Sequence, residues 1–519
     1  MNIGPYPYNK APASETLREL LEYFSQRGAP GDTVLVHRLR DPLPVTRGQL
    51  MQDVRRFSAR LHALGLSGKQ VAVATMPGYA GAVAMLAGFH AGAVVVPLDV
   101  QLPPGRLCQL VADSDAQALL YGGAFETVRE GAEAGGAVRH FCCLDGPDFG
   151  AWLRAGEGAP EAPAPAPSDL AVIMYTSGTT GAAKGVMLTQ HSLVSSVLAG
   201  IAMHEMPETN LAFLPFFHIF GVIGLLMMVG QGLQFYMSDG PAAFLGEIAR
   251  YRPQQVLMVP AMARAVMRRI EAGLTQDLGD VNLIICGGAR VPAEIPAFYR
   301  GLGIDLLNAY GLTETTGMVA STRRRDYRDG SVGRAYPNTD IRIAGGSAAG
   351  GTMIAGGAPG AAGVGEIQMR GVCMCKGYYK RPDLTKELYT EDGWLRTGDL
   401  GYLDEDGYLF ITGRIGNLIV LDNGYNVSPE EVESLASSDE RIAEIVVYES
   451  DGAIAAEIFP AYTDGMAEEG KARLRDGIED GIRRLNETLP FYMSILKTTF
   501  RDEPFPKTTT NKIKRGQAH

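Results

Sequence analysis

Apolar residues recur at Leu17, Leu20, Leu21 and Phe24, and again at Leu50, Val54, Phe57, Leu61 and Leu64. That three-and-four spacing marks one face of a helix, and Gly28 and Gly65 stand where each helix should stop. The pattern then changes. Residues 71–74 and 93–96 are continuous apolar runs, separated by a helical stretch from Tyr79 to His90. Strand, helix, strand without polar alternation predicts a parallel sheet covered on both faces. Residues 170–174 and 186–188 read as two more short strands. Residues 211–230 are almost uncharged and long enough to span a bilayer. Pro215, His218, Gly221 and Gly224 interrupt them and no Lys/Arg cluster flanks them, so they read as a strand, then a core helix walling a substrate pocket.

At 519 residues the chain exceeds one hydrophobic core. A Pro/Ala-rich run at 156–167 reads as a linker, and the Gly/Ala-rich run at 344–363 as a loose surface loop. A change of unit is expected near Arg414–Gly416. Beyond it, residues 417–421, 445–449 and 454–460 read as strands. Ser428-Pro-Glu-Glu431 supplies a helix N-cap, a first-turn proline and a capping-box glutamate. Leu474, Ile478, Ile482 and Leu485 form one face of a polar-backed helix, which completes a small α+β unit.

A net charge of −11 argues against nucleic acid as a partner, because that binding rests on Lys and Arg neutralising phosphates. Residues 1–10 have no apolar core, so no secretory signal is evident. The six cysteines suit a reducing, cytoplasmic setting. Cys373-Met-Cys375 lacks metal-ligand spacing and reads as buried thiols.

The densest chemistry lies between the two strands at 170–174 and 186–188. Tyr175-Thr-Ser-Gly-Thr-Thr-Gly-Ala-Ala-Lys-Gly185 carries Gly178 and Gly181, which let backbone N–H groups close on an anion. Thr176, Ser177, Thr179 and Thr180 add hydroxyl donors, and Lys184 adds a mobile positive charge. The string predicts a phosphate cradle. A Walker loop would place Ser or Thr after the lysine to hold magnesium. Here Gly185 follows, so the metal must be held elsewhere.

This loop resembles the phosphate signature of the adenylate-forming enzymes, which include acyl-CoA synthetases, luciferases and non-ribosomal adenylation domains. Further similar motifs follow in the family's order: Pro215-Phe-Phe-His-Ile-Phe-Gly221, Asn308-Ala-Tyr-Gly-Leu-Thr-Glu-Thr315, Gly365-Glu-Ile-Gln-Met-Arg-Gly371, Trp394-Leu-Arg-Thr-Gly-Asp399, Gly413-Arg414 and Thr510-Asn-Lys-Ile-Lys514. The resemblance implies an α/β fold, with a large N-terminal domain of stacked parallel and mixed sheets with helices over 1–414 and a small mobile α+β lid over 415–519. It implies ATP, Mg2+ and CoA as cofactors, and a small-molecule carboxylic acid made into acyl-AMP and then acyl-CoA. It places Mg2+ on Glu314, the α-phosphate on Thr313, and adenine on Tyr310 in a slot with Gly288, Ala289, Asn308, Ala309 and Gly311. Asp399 would hold the ribose hydroxyls, Arg414 the ribose or phosphate, and Lys512 the carboxylate and α-phosphate. His218, Phe217, Val222 and Met318 would bind the acid.

Amino-acid-activating members of the family place an aspartate near this position to pair the substrate ammonium. Phe217-His-Ile-Phe220 offers no carboxylate, and an unpaired buried ammonium would be costly, so the resemblance implies a fatty or aryl acid without an α-amino group. No carrier domain follows residue 519, so the thiol acceptor is expected to be separate: CoA, or alternatively a carrier protein. A non-catalytic nucleotide-binding or scaffold protein is the reading from another class. The chain departs from the family at Gly416, where Asp or Lys is usual at the hinge, and at Asn511, where glycine usually precedes the lysine.

Overall fold

In the computed structural model, the residues described are 13–29, 31–37, 43–177, 183–212, 214–240, 242–274, 278–345, 363–421, 426–450, 453–463, 465–507 and 513–515. They cluster into two compact units, one within 1–329, 333–340 and 370–395, the other within 330–332, 341–369 and 396–519.

The first unit holds two sheets. In the six-stranded sheet the spatial order is His140–Cys143, Ala118–Tyr121, Gln70–Ala74, Val94–Pro97, Leu170–Ser177 and Ala183–Thr189. All pairs are parallel except the last, an antiparallel hairpin. The nine-stranded sheet runs Arg334–Ala335, Gly317–Ser321, Asp305–Leu312, Leu283–Gly287, Gln255–Met258, Thr209–Ala212, Gln234–Met237, Thr33–His37 and Leu43–Thr46. It is parallel through the middle and antiparallel at both ends.

Strand periodicity explains why these runs lack polar residues. Val71, Val73 and Val95 enter one core while Ala72, Ala74, Val94 and Val96 enter another on the opposite face. In the second sheet Leu257 and Ile285 join that same first core, and Val256, Met258, Ile284 and Cys286 face away into a third. One core is thus shared by the inner faces of both sheets, and helices fill it. Tyr79–His90 and Ile219–Gln231 are apolar all round, as helices buried on every side must be. The uncharged stretch at 211–230 is therefore the end of a strand, a connection and a 13-residue helix. No helix of the described residues is long and apolar enough to cross a membrane.

The expected helices at Leu17–Ser25 and Arg47–Ala63 form, with Gly28 and Gly65 in the left-handed region just beyond each. The run at 156–167 has no regular structure past residue 158, but it is pinned: Arg18 Nη1 donates to the Ala162 carbonyl at 2.8 Å. Most of the Gly/Ala-rich run lies outside the described residues.

The second unit carries a four-stranded sheet in the order Thr339–Ala344, Gly365–Gly371, Leu395–Leu403 and Leu409–Arg414. It also carries a three-stranded sheet of Ile442–Ser450, Ala453–Pro460 and Ile495–Phe500, with helices Pro429–Ala436 and Glu468–Asn486. The latter elements share a core drawn wholly from Ile419 onward. Compactness therefore groups residues 396–414 with the C-terminal part, whereas the sequence suggested 1–414 and 415–519. Ser428 is the N-cap of the 429–436 helix, yet the capping box does not form: its hydroxyl donates instead to the Thr412 carbonyl at 2.8 Å. Tertiary packing offered a better acceptor than the local turn.

A buried polar group ties the first three helices together. His90 lies 3.0 Å from Glu22 Oε1 through Nε2 and 2.9 Å from the Ser58 hydroxyl through Nδ1, and Arg55 pairs with Glu22 Oε2 at 2.6 Å. The His90 hydrogen bond, helped by Arg55 and opposed by burial, holds the Glu22 carboxyl near 2 instead of 4.5. A depressed carboxylate adds stability that is complete above the unfolded value of 4.5 and disappears as pH falls toward 2. Glu22→Gln should therefore lower the urea midpoint at neutral pH, and the gap from the wild type should close progressively as the acid limb is followed below pH 4.5.

Candidate functional site

In a doubly wound sheet the carboxyl ends of the parallel strands leave a crevice where the strand order reverses. In the nine-stranded sheet, Thr209–Ala212 is followed in sequence by a strand on one side and then by Gln255–Met258 on the other, so the reversal lies between them. Residues singled out from the sequence follow the carboxyl ends of these strands. His218 caps the helix after 209–212, Gly288 and Ala289 follow the strand Leu283–Gly287, and Asn308–Gly311 close the strand Asp305–Leu312.

The 305–312 and 317–321 strands form a hairpin with Thr313 and Glu314 at its tip and a bulge at Tyr310/Gly311. The local sequence is explained by close approaches. A Cβ on Gly311 would lie 1.7 Å from the Gly317 carbonyl oxygen, and Thr316 and Gly317 both adopt left-handed φ, at 56° and 91°. The Thr315 hydroxyl accepts from Leu312 N–H at 2.8 Å and closes the turn. Asn308 is fixed by an exchange with Thr322: the Asn308 amide donates to Thr322 Oγ1, and the Thr322 amide to the Asn308 carbonyl. Ala309 lies opposite Gly287, whose Cβ would sit 2.8 Å from the Ala309 carbonyl. Tyr310 is 9% exposed.

In the six-stranded sheet the phosphate-loop hairpin pairs Thr176 with Lys184 and Ser177 with Ala183. Gly178, Thr179, Thr180 and Gly181, at its tip, lie outside the described residues, as does Lys512. Its returning strand is braced by residues 375–379. Met187 N–H donates to Gly377, Lys376 N–H to Met187, and Tyr379 N–H to Gly185. At the start of the same segment, Cys375 N–H donates to the Glu314 carbonyl at 2.8 Å. Tyr378, which the sequence reading passed over, links the two motifs. Its hydroxyl donates to Glu314 Oε1 at 2.8 Å, and Lys184 Nζ sits 5.3 Å from its ring centroid.

Among the described residues no group of three or more His, Cys, Asp or Glu side chains is placed to hold a metal. That fits Mg2+, which keeps several waters and takes one or two carboxylates together with substrate phosphates. Glu314, at the hairpin tip, is the carboxylate that would serve such a site. Cys373 and Cys375 are buried free thiols, which burial pushes up to about 11 and about 12.

Around the expected acid pocket, the Phe217 ring packs edge-on to His218 at 4.7 Å between centroids. Met318 pairs with Gly311 across the hairpin, and its sulfur accepts from the Tyr336 hydroxyl at 3.8 Å. Val222 is wholly buried in the shared core, so any influence on a ligand in this conformation passes through its packing. Gly221 cannot be larger, since a Cβ would meet the Pro215 carbonyl at 2.2 Å.

In the second unit Asp399 and Arg414 face each other across neighbouring strands, with Arg414 Nε 2.6 Å from Asp399 Oδ1. Asp399 is buried and the Arg414 side chain is half exposed. Residues next to the lysine-bearing tail are firmly tied: Lys507 pairs with Glu444 at 2.5 Å, Lys514 N–H donates to Pro506, and Arg515 pairs with Glu433 and contacts Glu430 at 3.8 Å.

Residues 24–379 match the AMP-binding enzyme family, and the chain belongs to that family. It is 33% identical over 402 residues to a sulfoacetate–CoA ligase of Cupriavidus necator, covering 75% of this chain and 76% of the relative. It is 29% identical over 449 residues to an indoleacetate–CoA ligase of Aromatoleum aromaticum, covering 83% and 84%. Among solved structures, ATP-bound MatB from Rhodopseudomonas palustris superposes with a TM-score of 0.81 at 25% identity, over 96% of this chain and 98% of that one.

Close approach at Gly311 gives a direct test of this geometry. Gly311→Ala should destabilise the protein by about 3 kcal/mol, the upper end of overpacking costs, because backbone rather than a side chain must yield. Gly416→Ala, with nothing within 4 Å, should stay within about 0.5 kcal/mol of the wild type. Thermal melts of both variants check the contrast.

Proposed function

We infer that the protein is an AMP-forming acid–thiol ligase that converts a carboxylic acid to acyl-AMP and then to acyl-CoA. The observation that supports this reading is that Lys184 and Glu314, a cation and a carboxylate carried on hairpins of different sheets, both adjoin one side chain. CoA ligases among the relatives support the same chemistry.

In this reading the loop 176–184 binds the β- and γ-phosphates, and Lys184 neutralises charge on the departing pyrophosphate. Thr313 donates to the α-phosphate. Mg2+ held by Glu314 and the phosphates would screen the negative charge that otherwise repels an incoming carboxylate. Tyr310, near the end of its strand, stacks on adenine in a slot with Gly288 and Ala289. Asp399 accepts from the ribose hydroxyls with its ionised oxygens, and Arg414, its partner at 2.6 Å, reaches ribose or phosphate. Lys512 approaches the carboxylate and α-phosphate and holds them in line. The lid is residues 415–519, turning about Arg414–Gly416. A separate core from Ile419 onward and the open space around Gly416 support that hinge.

The acid is a fatty or aryl acid without an α-amino group, bound near Phe217, His218 and Met318, with Val222 packing behind. Sulfoacetate and indoleacetate, named for the two relatives, likewise lack an amino group.

Acid-dependent exchange of pyrophosphate into ATP, run across fatty, aryl and amino acids, tests the reading. Exchange with a fatty or aryl acid is expected, and its absence with every acid would leave a non-catalytic nucleotide binder. Lys512→Ala should cut exchange by about a hundredfold. Asp399→Ala should raise the ATP Kd by about tenfold, or about 1.4 kcal/mol. Thioester formation with free CoA, against none, decides between CoA and a carrier protein as acceptor.

A further inference from the structure

Lys184 and Glu314 carry opposite charges and both adjoin Tyr378, yet among the described residues no ion pair joins them. A direct pair would be self-defeating. It would consume the cation wanted for phosphate and the carboxylate wanted for metal, and ATP binding would first have to break it.

We propose that Tyr378 is a positioning residue that partitions the two charges, its hydroxyl fixing Glu314 for the metal and its ring holding Lys184 for the phosphates. The proposal rests on the ligase reading above and assigns Tyr378 its part within it. Three features make the ring a fixed partition. Tyr378 is only 8% exposed. Its backbone N–H donates to Thr385 Oγ1 at 2.9 Å, and its backbone bridges to Val186. Gly377 before it takes φ +115°, and a Cβ there would lie 2.3 Å from Thr385 Cγ2, so glycine is required at this approach.

The hydroxyl and the ring act on different charges. A phenol donating to Glu314 Oε1 uses one acceptor site on that oxygen and leaves Oε2 for a cation. The ring face attracts the ammonium without neutralising it, since the quadrupole carries no net charge. Removing the hydroxyl alone should loosen Glu314 and leave Lys184 in place. Removing the ring should let the lysine and the glutamate collapse onto each other.

ATP affinity, measured by calorimetry on the full chain with Mg2+ and again with EDTA, separates these effects without relying on turnover. In the wild type Mg2+ is expected to tighten ATP binding. Tyr378→Phe should reduce that gain by about tenfold, the scale of a hydrogen bond to a charged group, while affinity in EDTA stays unchanged. Tyr378→Ala should weaken ATP binding in both conditions. In a Glu314→Gln background Tyr378→Phe should have no further effect. Manganese titration of the ATP complex, followed by electron paramagnetic resonance, should show the same order of metal affinities. An unaltered Mg2+ gain in Tyr378→Phe, with melting behaviour like the wild type, overturns the partition and leaves the ligase reading intact. A wild type that binds no ATP under either condition overturns the ligase reading itself.

Discussion

Lys376 donates its backbone N–H to Met187, Met187 returns its own to Gly377, and Cys375 donates to the carbonyl of Glu314. These bonds join the returning strand of one hairpin to the tip of another that belongs to a different sheet. Each is an ordinary backbone hydrogen bond, worth about 1 kcal/mol net. Their importance is positional. They carry the Tyr378 ring to the place where a lysine from one sheet and a glutamate from the other both adjoin it.

This junction depends on the layered core beneath it. Two sheets share one apolar interior filled by helices that have no polar face. Because the inner strands are parallel, their carboxyl ends emerge along the same edge of each sheet, and the segments that follow are free of ladder bonding. Glycines occur there where backbones nearly touch, as Gly311 does with the carbonyl of Gly317. One polar group inside the core, His90, is matched by Glu22 and Ser58.

In the second unit the charges are arranged differently. Asp399 is buried, and Arg414 meets it from a neighbouring strand with its own side chain half exposed. The aspartate is thereby held in position against the neighbouring strand. Lys507, Lys514 and Arg515 fasten the chain on either side of the tail motif to Glu444, Pro506, Glu433 and Glu430.

Periodicity along the chain was enough to place the helices at Leu17–Ser25 and Tyr79–His90, the parallel strands on either side of the second helix and the two strands around residues 178–182, because burial on one face or all faces leaves a local signature in the residues themselves. The motif around Glu314 was also legible, since its glycines and threonines answer backbone demands a few residues away. Tyr378 was not legible. Its partners lie 64 residues away at Glu314 and on another strand at Lys184, and nothing in Gly377-Tyr-Tyr379 distinguishes a tyrosine that separates two charges from one that fills a core. Ser428 was misjudged for the same reason: the local capping pattern was present, but the Thr412 carbonyl, brought in by folding, took its hydroxyl. Local pattern determined which elements form and which strand ends are chemically equipped. Only the tertiary structure decided which of two plausible partners each polar side chain takes, because that choice depends on distances set by packing between segments remote in sequence.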